Sequence, residues 1–274
     1  LLPDVTHKRV LFVGERIIDV YHFGRLIGRP PKEPIICIEL NGKQVFEGGV
    51  VAAAKHAETF VESINVFSTK ELVKERFVDE NRYRKLFEVY SGKKDLNAEW
   101  APVSSFDAVI VTDYGHGMMT PEIVQKLTIE AKFLAVNVQT NSGNFGFNLA
   151  TKYTHVDYLC VSEIEARLAT QNASGPIEES LEKLSSLSPR VVITLGRNGA
   201  IGFEKGIFKS EALSYRVVDT MGAGDAFFAV TACMAAELSM PELLKVGNAA
   251  GALKTQSLGQ RPVNRDELLA YLNR

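Results

Sequence analysis

Short apolar runs alternating with helix-like stretches recur along this chain, and that rhythm limits its fold more than any other feature. Residues 9–14 (RVLFVG) form an apolar run closed by glycine and read as a buried first strand. Runs of the same kind fall at 64–67, 108–112, 134–138, 156–160 and 191–195. Between them lie stretches such as 120–132, which opens Thr-Pro-Glu, so that Thr120 suits an N-cap and Pro121 the first helical position. The C-terminal third carries helical patterning at 223–238, 241–255 and 266–272, with Asn264 and Glu267 spaced as a capping box. Strands alternating with helices predict an α/β fold with a mostly parallel central sheet covered on both faces.

Two stretches depart from this rhythm. Residues 20–47 carry Pro30, Pro31 and Pro34, an apolar run at 35–40 and a turn signal at Asn41-Gly42; residues 72–90 mix β-formers with many charges. Both predict exposed strands set apart from the main sheet, as a small β lid or an association surface within a single domain spanning 1–274. Charge is nearly balanced, 31 Lys+Arg against 33 Asp+Glu, which lacks the basic excess expected of a nucleic-acid or anionic-membrane partner. Cys37, Cys160 and Cys233 are sparse, odd in number and without a CxxC pair, which suits reduced thiols in a cytoplasmic protein. No apolar run approaches the ~18 residues that span a bilayer. His22, His56, His116 and His155 show no metal-ligand spacing, and neither a Walker P-loop, HExxH nor GxSxG occurs.

The segment that carries chemistry is 219–227, Asp-Thr-Met-Gly-Ala-Gly-Asp-Ala-Phe. Two glycines flank a small residue directly before a strong helix pattern, which gathers backbone N–H groups and the positive end of a helix dipole at one point. Small residues let a phosphate approach those donors closely. Asp225, in the first turn of that helix, can accept a proton from an attacking hydroxyl. Taken alone, GAGD also fits a plain tight turn with an acidic helix start.

The nine residues resemble the D-T-x-G-A-G-D-x-F signature of the ribokinase-like (PfkB) carbohydrate kinases. Further stretches are similar to that family in the same order along the chain: Gly14-Glu15 with Asp19, Gly48-Gly49 before Ala52-Ala53-Ala54, Thr112-Asp113-Tyr114 with Gly117, Ser162-Glu163-Ile164-Glu165-Ala166, 192–200 (VITLGRNGA), 248–251 and Leu258-Gly259. The resemblance implies a ribokinase-like three-layer sandwich and transfer of a phosphoryl group from ATP to a sugar hydroxyl. It implies Asp225 as base, with Gly222, Ala223 and Gly224 as anion hole. Asp19, Gly48 and Gly49 would hold the acceptor, and Ser162, Thr194, Gly196, Gly199 and Asn248 would flank ATP. Glu165 would serve Mg²⁺ through water, and the loop at Asp219 and Thr220 extends the likeness to a K⁺ site at Asp219.

The run at Asp113-Tyr114 and the string at 29–34 (RPPKEP) look most like the heptose 7-phosphate kinases of the family, which implies phosphorylation at the 1-hydroxyl. Arg76 belongs to a set with Arg25, Arg29, Lys32, Lys74, Arg82, Arg84 and Lys85 that together could hold an acceptor's phosphate. The resemblance, and lid strands that want covering, imply a homodimer through the lid. The family pattern is broken in three places. Gly48-Gly49 continues as VVAAAKH without the usual Asn, Ser162 replaces Asn, and 22 residues separate Gly49 from Leu72. These departures predict a trimmed substrate side and motivate the alternative, a nucleotide- or sugar-binding module of a larger enzyme or assembly.

Overall fold

The computed structural model describes residues 2–69, 71–82, 84–92, 102–213, 217–257 and 261–273; Leu258-Gly259 lies outside them. In chain order the strands are β1 (Arg9–Gly14), β2 (Arg16–Gly28), β3 (Cys37–Gly48), β4 (Ser63–Ser68), β5 (Leu72–Asp79) and β6 (Arg84–Gly92). Then come β7 (Ala108–Asp113), β8 (Leu134–Val138), β9 (Tyr158–Ser162), β10 (Val191–Thr194), β11 (Ala200–Phe203) and β12 (Ile207–Ser210). The helices are α1 (Gly49–Lys55), α2 (Pro121–Glu130), α3 (Glu163–Thr170), α4 (Ile177–Leu184), α5 (Ala223–Met234), α6 (Met240–Thr255) and α7 (Arg265–Leu272).

The main sheet has the order β12-β11-β10-β9-β8-β7-β1-β4, parallel from β10 to β4 and closed by antiparallel β11 and β12. Alternation along its strands sorts the core into two layers. Val10, Phe12, Ile110, Cys160 and Val192 pack with α1, α5, α6 and α7. Leu11, Val13, Val111, Leu159 and Val191 pack with α2, α3 and α4. The result is the three-layer α/β/α arrangement expected from the apolar runs. Thr120 caps α2, its hydroxyl accepting from the Ile123 N–H at 3.4 Å, with Pro121 inside the first turn.

A second sheet, β3-β2-β5-β6, stands apart. Its two faces differ by the same period of two. One row runs Phe46, Asp19, Lys74, Tyr90 and the next Gln44, Tyr21, Arg76, Glu88. The opposite face carries Val45, Val20, Glu75, Val89, with Val45, Val89 and nearby Phe87 exposed.

Several local expectations are corrected. Asn41-Gly42 does not turn the chain: it sits inside β3 at a register shift opposite Phe23 and Gly24, and the Asn41 side chain reaches Glu80 at 2.6 Å. The reversal falls instead at 29–36, where prolines cannot donate to a ladder. The strand expected at 156–160 lies two residues later, as β9. Asn264 caps α7 by accepting from the Asp266 N–H at 2.8 Å, while Glu267 pairs with Arg261 and makes no capping box.

Candidate active site

The parallel strands end on one side, and the residues just past those ends converge there, the usual place for ligands in an open α/β sheet. Past β7 comes Tyr114, past β8 Gln139 and Thr140, and at the ends of β9 and β10 Ser162 and Thr194. Facing them is the N-terminus of α5. Gly222 is its N-cap at φ 74°, a left-handed conformation that favours glycine, and no side chain caps the helix.

Two cavities meet at this helix start. The first, about 220 Å³ and mostly polar, is lined by Asp19, Lys74, Arg76, Gln139, Gly222 and Asp225, with Gly49 and His116 also on its wall. The second, about 570 Å³ and mostly apolar, is lined by Ser162, Thr194, Gly196, Gly199, Gly224 and Asn248, with Ala223, Thr220 and Phe227 beside them. The glycine pair therefore separates a polar chamber from an apolar one. A Cβ on Gly224 would meet open space, so that residue leaves room beside the helix start. The Ala223 N–H turns back to Thr220 O at 3.3 Å.

Asp225 is half-buried on the wall of the polar chamber. Its Oδ1 accepts from Gln139 Nε2 at 2.6 Å and from the Tyr114 hydroxyl at 3.2 Å. Burial raises its pKa above the ordinary aspartate value, against the opposite pull of those two hydrogen bonds. Tyr114 is held from behind by two wholly buried acids. Glu15 accepts the N–H groups of Tyr114, His116 and Met118 at 3.1, 3.0 and 3.3 Å. Asp113 accepts from Tyr153 and Asn148 and pairs with Lys152 at 2.5 Å. Glu15 thus fixes a loop, and Asp19 is the acid that reaches the polar chamber.

Asp19 is buried in an ion pair with Arg76, whose Nε also donates to Glu88 at 3.0 Å. Of the basic set, Lys74 and Arg76 line this chamber, whereas Arg25 pairs with Glu39 on the surface. Gly49 touches the chamber; Gly48 lies behind it, where a Cβ would come within 2.5 Å of Asp19 Oδ2. On the apolar side, Asn248 donates to Ser210 O and Glu211 O at 3.1 and 2.9 Å, pinning the end of β12 to α6. Glu165 completes a capping box with Ser162 and accepts the Thr140 N–H at 2.9 Å, so it supports both loops from outside the cavity wall. Burial raises its pKa. Asp219 also stands off both walls, its Oδ1 accepting from the Met221 N–H at 3.0 Å. Among the described residues no group of three or more His, Cys, Asp or Glu side chains could hold a metal by itself.

Gln139, His116, Thr140 and Asn141 line the polar chamber without having been singled out as site residues. The signal available for Gln139 was positional: a polar residue directly after an apolar parallel strand.

Known proteins bear on this arrangement in three ways. The family model described as pfkB family carbohydrate kinase matches residues 75–266. A protein named bifunctional protein HldE from Campylobacter jejuni is 30% identical over 175 residues, 62% of this chain and 37% of its own length. One of the same name from Helicobacter pylori is 24% identical over 97% of this chain and 66% of its own length. The chain thus spans well under half of the first relatives it matches. Among solved structures, a Thermotoga maritima ribokinase superposes with a TM-score of 0.73 at 18% identity, over 97% of this chain and 100% of that one. Phosphofructokinase-2 from Escherichia coli in complex with potassium gives 0.74 at 13% identity, over 98% and 100%.

Proposed function

This chain belongs to the pfkB family of carbohydrate kinases, and we propose that it moves the γ-phosphoryl group of ATP onto a hydroxyl of a sugar phosphate held in the polar chamber. The observation that carries the reading is the position of Asp225 on the wall of the polar cavity, directly after Gly224 on the wall of the apolar one. A hydroxyl beside it would lose its proton to Oδ2 while its oxygen bonds to the γ-phosphorus, and the bond from that phosphorus to the bridging oxygen breaks to release ADP. The uncapped start of α5 faces the charge that develops on the transferred group.

The apolar chamber, with Thr194, Gly196, Gly199 and Asn248 on its wall, fits an adenine nucleoside whose phosphates point toward Gly224. The donor set fits Mg²⁺ only as a companion of the nucleotide's phosphates, where the ion would neutralise their charge. Glu165 keeps lone pairs free beyond its two backbone N–H partners and could order that ion's water. Asp19 would accept from acceptor hydroxyls, while Lys74, Arg76 and His116 give the chamber cationic and hydrogen-bonding character suited to a phosphate. The relatives named bifunctional protein HldE and the Asp113-Tyr114 stretch support heptose 7-phosphate, phosphorylated at its 1-hydroxyl, as the acceptor. Family membership and the exposed apolar face of the second sheet support a homodimer.

The test is acceptor-dependent ADP release across a panel of sugars and sugar phosphates, with Asp225→Asn alongside. One acceptor should drive release, and the variant should lose about 10²–10⁴ in kcat while still binding ATP. Silence across the panel with ATP binding intact would favour the binding-module alternative. Equal turnover of a sugar and its phosphate would remove the phosphate from the reading.

A further inference from the structure

Lys254 stands in the last turn of α6 and is only 1% exposed. Among the described residues its Nζ has no hydrogen-bond partner. An ammonium so placed is costly unless other charges compensate it. The carbonyl end of α6 supplies part of the compensation. Burial lowers its pKa, and the charges of Asp219 and Asp225 pull the other way, in favour of the ammonium. The backbone also brings the two segments together: the N–H groups of Val218 and Asp219 both donate to Thr255 O, at 2.7 and 3.1 Å, so the loop leading to the glycines is clamped to the residue next to Lys254. His56 also feels the charge of Lys254, and its own burial keeps it neutral, so it adds no positive charge there. Lys254 lines neither of the two functional chambers; it faces a third cavity of about 260 Å³ between α6 and α7.

The family resemblance implied a K⁺ ion at Asp219. The residues present do not fit one well: the charge of a buried lysine already acts on the same carboxylates, and a second cation beside it would meet like charge in a poorly solvated place. We propose that Lys254 is a positioning residue that takes the place of that ion, its ammonium holding the Asp219–Asp225 loop in register from behind, so that this chain works without a monovalent cation. The inference rests on the kinase reading for its kinetic consequence and on the fold alone for its structural one.

The experiment compares the full chain with Lys254→Met and Lys254→Arg, each in choline chloride and in potassium chloride at equal ionic strength. Both the melting temperature and acceptor-dependent ADP release are read. Wild type and Lys254→Arg should give the same values in the two salts. Lys254→Met, which keeps the volume and removes the charge, should lose about tenfold or more in kcat in choline. Potassium should then raise both its kcat and its melting temperature. Activation or stabilisation of wild type by potassium over choline would overturn the inference, as would a Lys254→Met protein that is indifferent to the salt. Should no acceptor be turned over by wild type, the kinase reading falls, and the melting comparison still decides whether Lys254 occupies the cation's place.

Discussion

Asp225 has to be ionised to take a proton, yet its surroundings favour the neutral acid, and this tension is measurable. Burial raises its pKa, while Gln139 and Tyr114 donate to the carboxylate and pull the value back down. The rate should therefore rise with pH through a value above the ordinary aspartate range and level off beyond it. Gln139→Leu removes the donor at 2.6 Å, so its acid limb should lie at higher pH than that of wild type, in a profile of kcat/KM. A limb that stays put would remove Asp225 from the role of base. Stability carries the opposite sign. With the folded pKa above the unfolded one, the native state holds a proton that the unfolded chain has released, so stability falls as pH rises through that window. At neutral pH the buried carboxylate is a burden, and Asp225→Asn, whose Oδ1 can keep both donors, should melt higher than wild type in calorimetry.

At the scale of elements, His56 shows how a distant contact ties layers together. It follows α1, and its Nδ1 accepts the N–H of Val263, just ahead of α7, at 3.0 Å. Burial first, and then the charge of Lys254, depress its pKa to about 4 from 6.5. Protonation would set a ring N–H against the Val263 N–H. The unfolded chain takes up this proton between 6.5 and about 4 while the native state does not, so the contribution is full above 6.5 and lost as pH falls toward 4. Its ceiling is about 3 kcal/mol. Urea unfolding across that range should show a gentler slope for His56→Gln, which can still accept from Val263 but does not titrate. An equal slope in both proteins would mean that His56 takes up its proton in the native state over the same range as in the unfolded chain. Nothing in the local sequence announced this contact, because its partners are 207 positions apart. What local sequence did announce were elements whose causes are local: the bounds of β1 and β8, the Thr120 cap and the Pro121 start of α2. The hairpin was misplaced because Asn41-Gly42 and the proline run both signal turns, and only pairing to β2 and the reach of Asn41 to Glu80 decide between them. The site divides in the same way. The glycines and Asp225 are contiguous and legible, but Gln139 and Tyr114 reach Asp225 from 86 and 111 residues away.

For the whole molecule, the second sheet has one face committed to the polar chamber and the other open. Asp19, Lys74 and Arg76 point inward, and alternation then forces Val45, Glu75 and Val89 outward. Val45 is 56% exposed and Phe87 and Val89 are each 42% exposed, an apolar group that a lone protomer leaves in water. Covering it with a second copy of the same sheet would also stiffen the strands that carry Asp19 and Arg76, so association and acceptor binding should be linked. Val89→Glu sets a carboxylate beside Glu75, its neighbour across the pair of strands, and should disfavour that packing by like-charge repulsion. In light scattering the wild-type chain is expected at twice the protomer mass and the variant at the protomer mass. The variant's KM for the acceptor should rise while its affinity for ATP stays near wild type, since the apolar chamber is built from the main sheet, α5 and α6. A wild-type protein of protomer mass would mean that this face is left open in solution, and a Val89→Glu dimer would place the interface elsewhere.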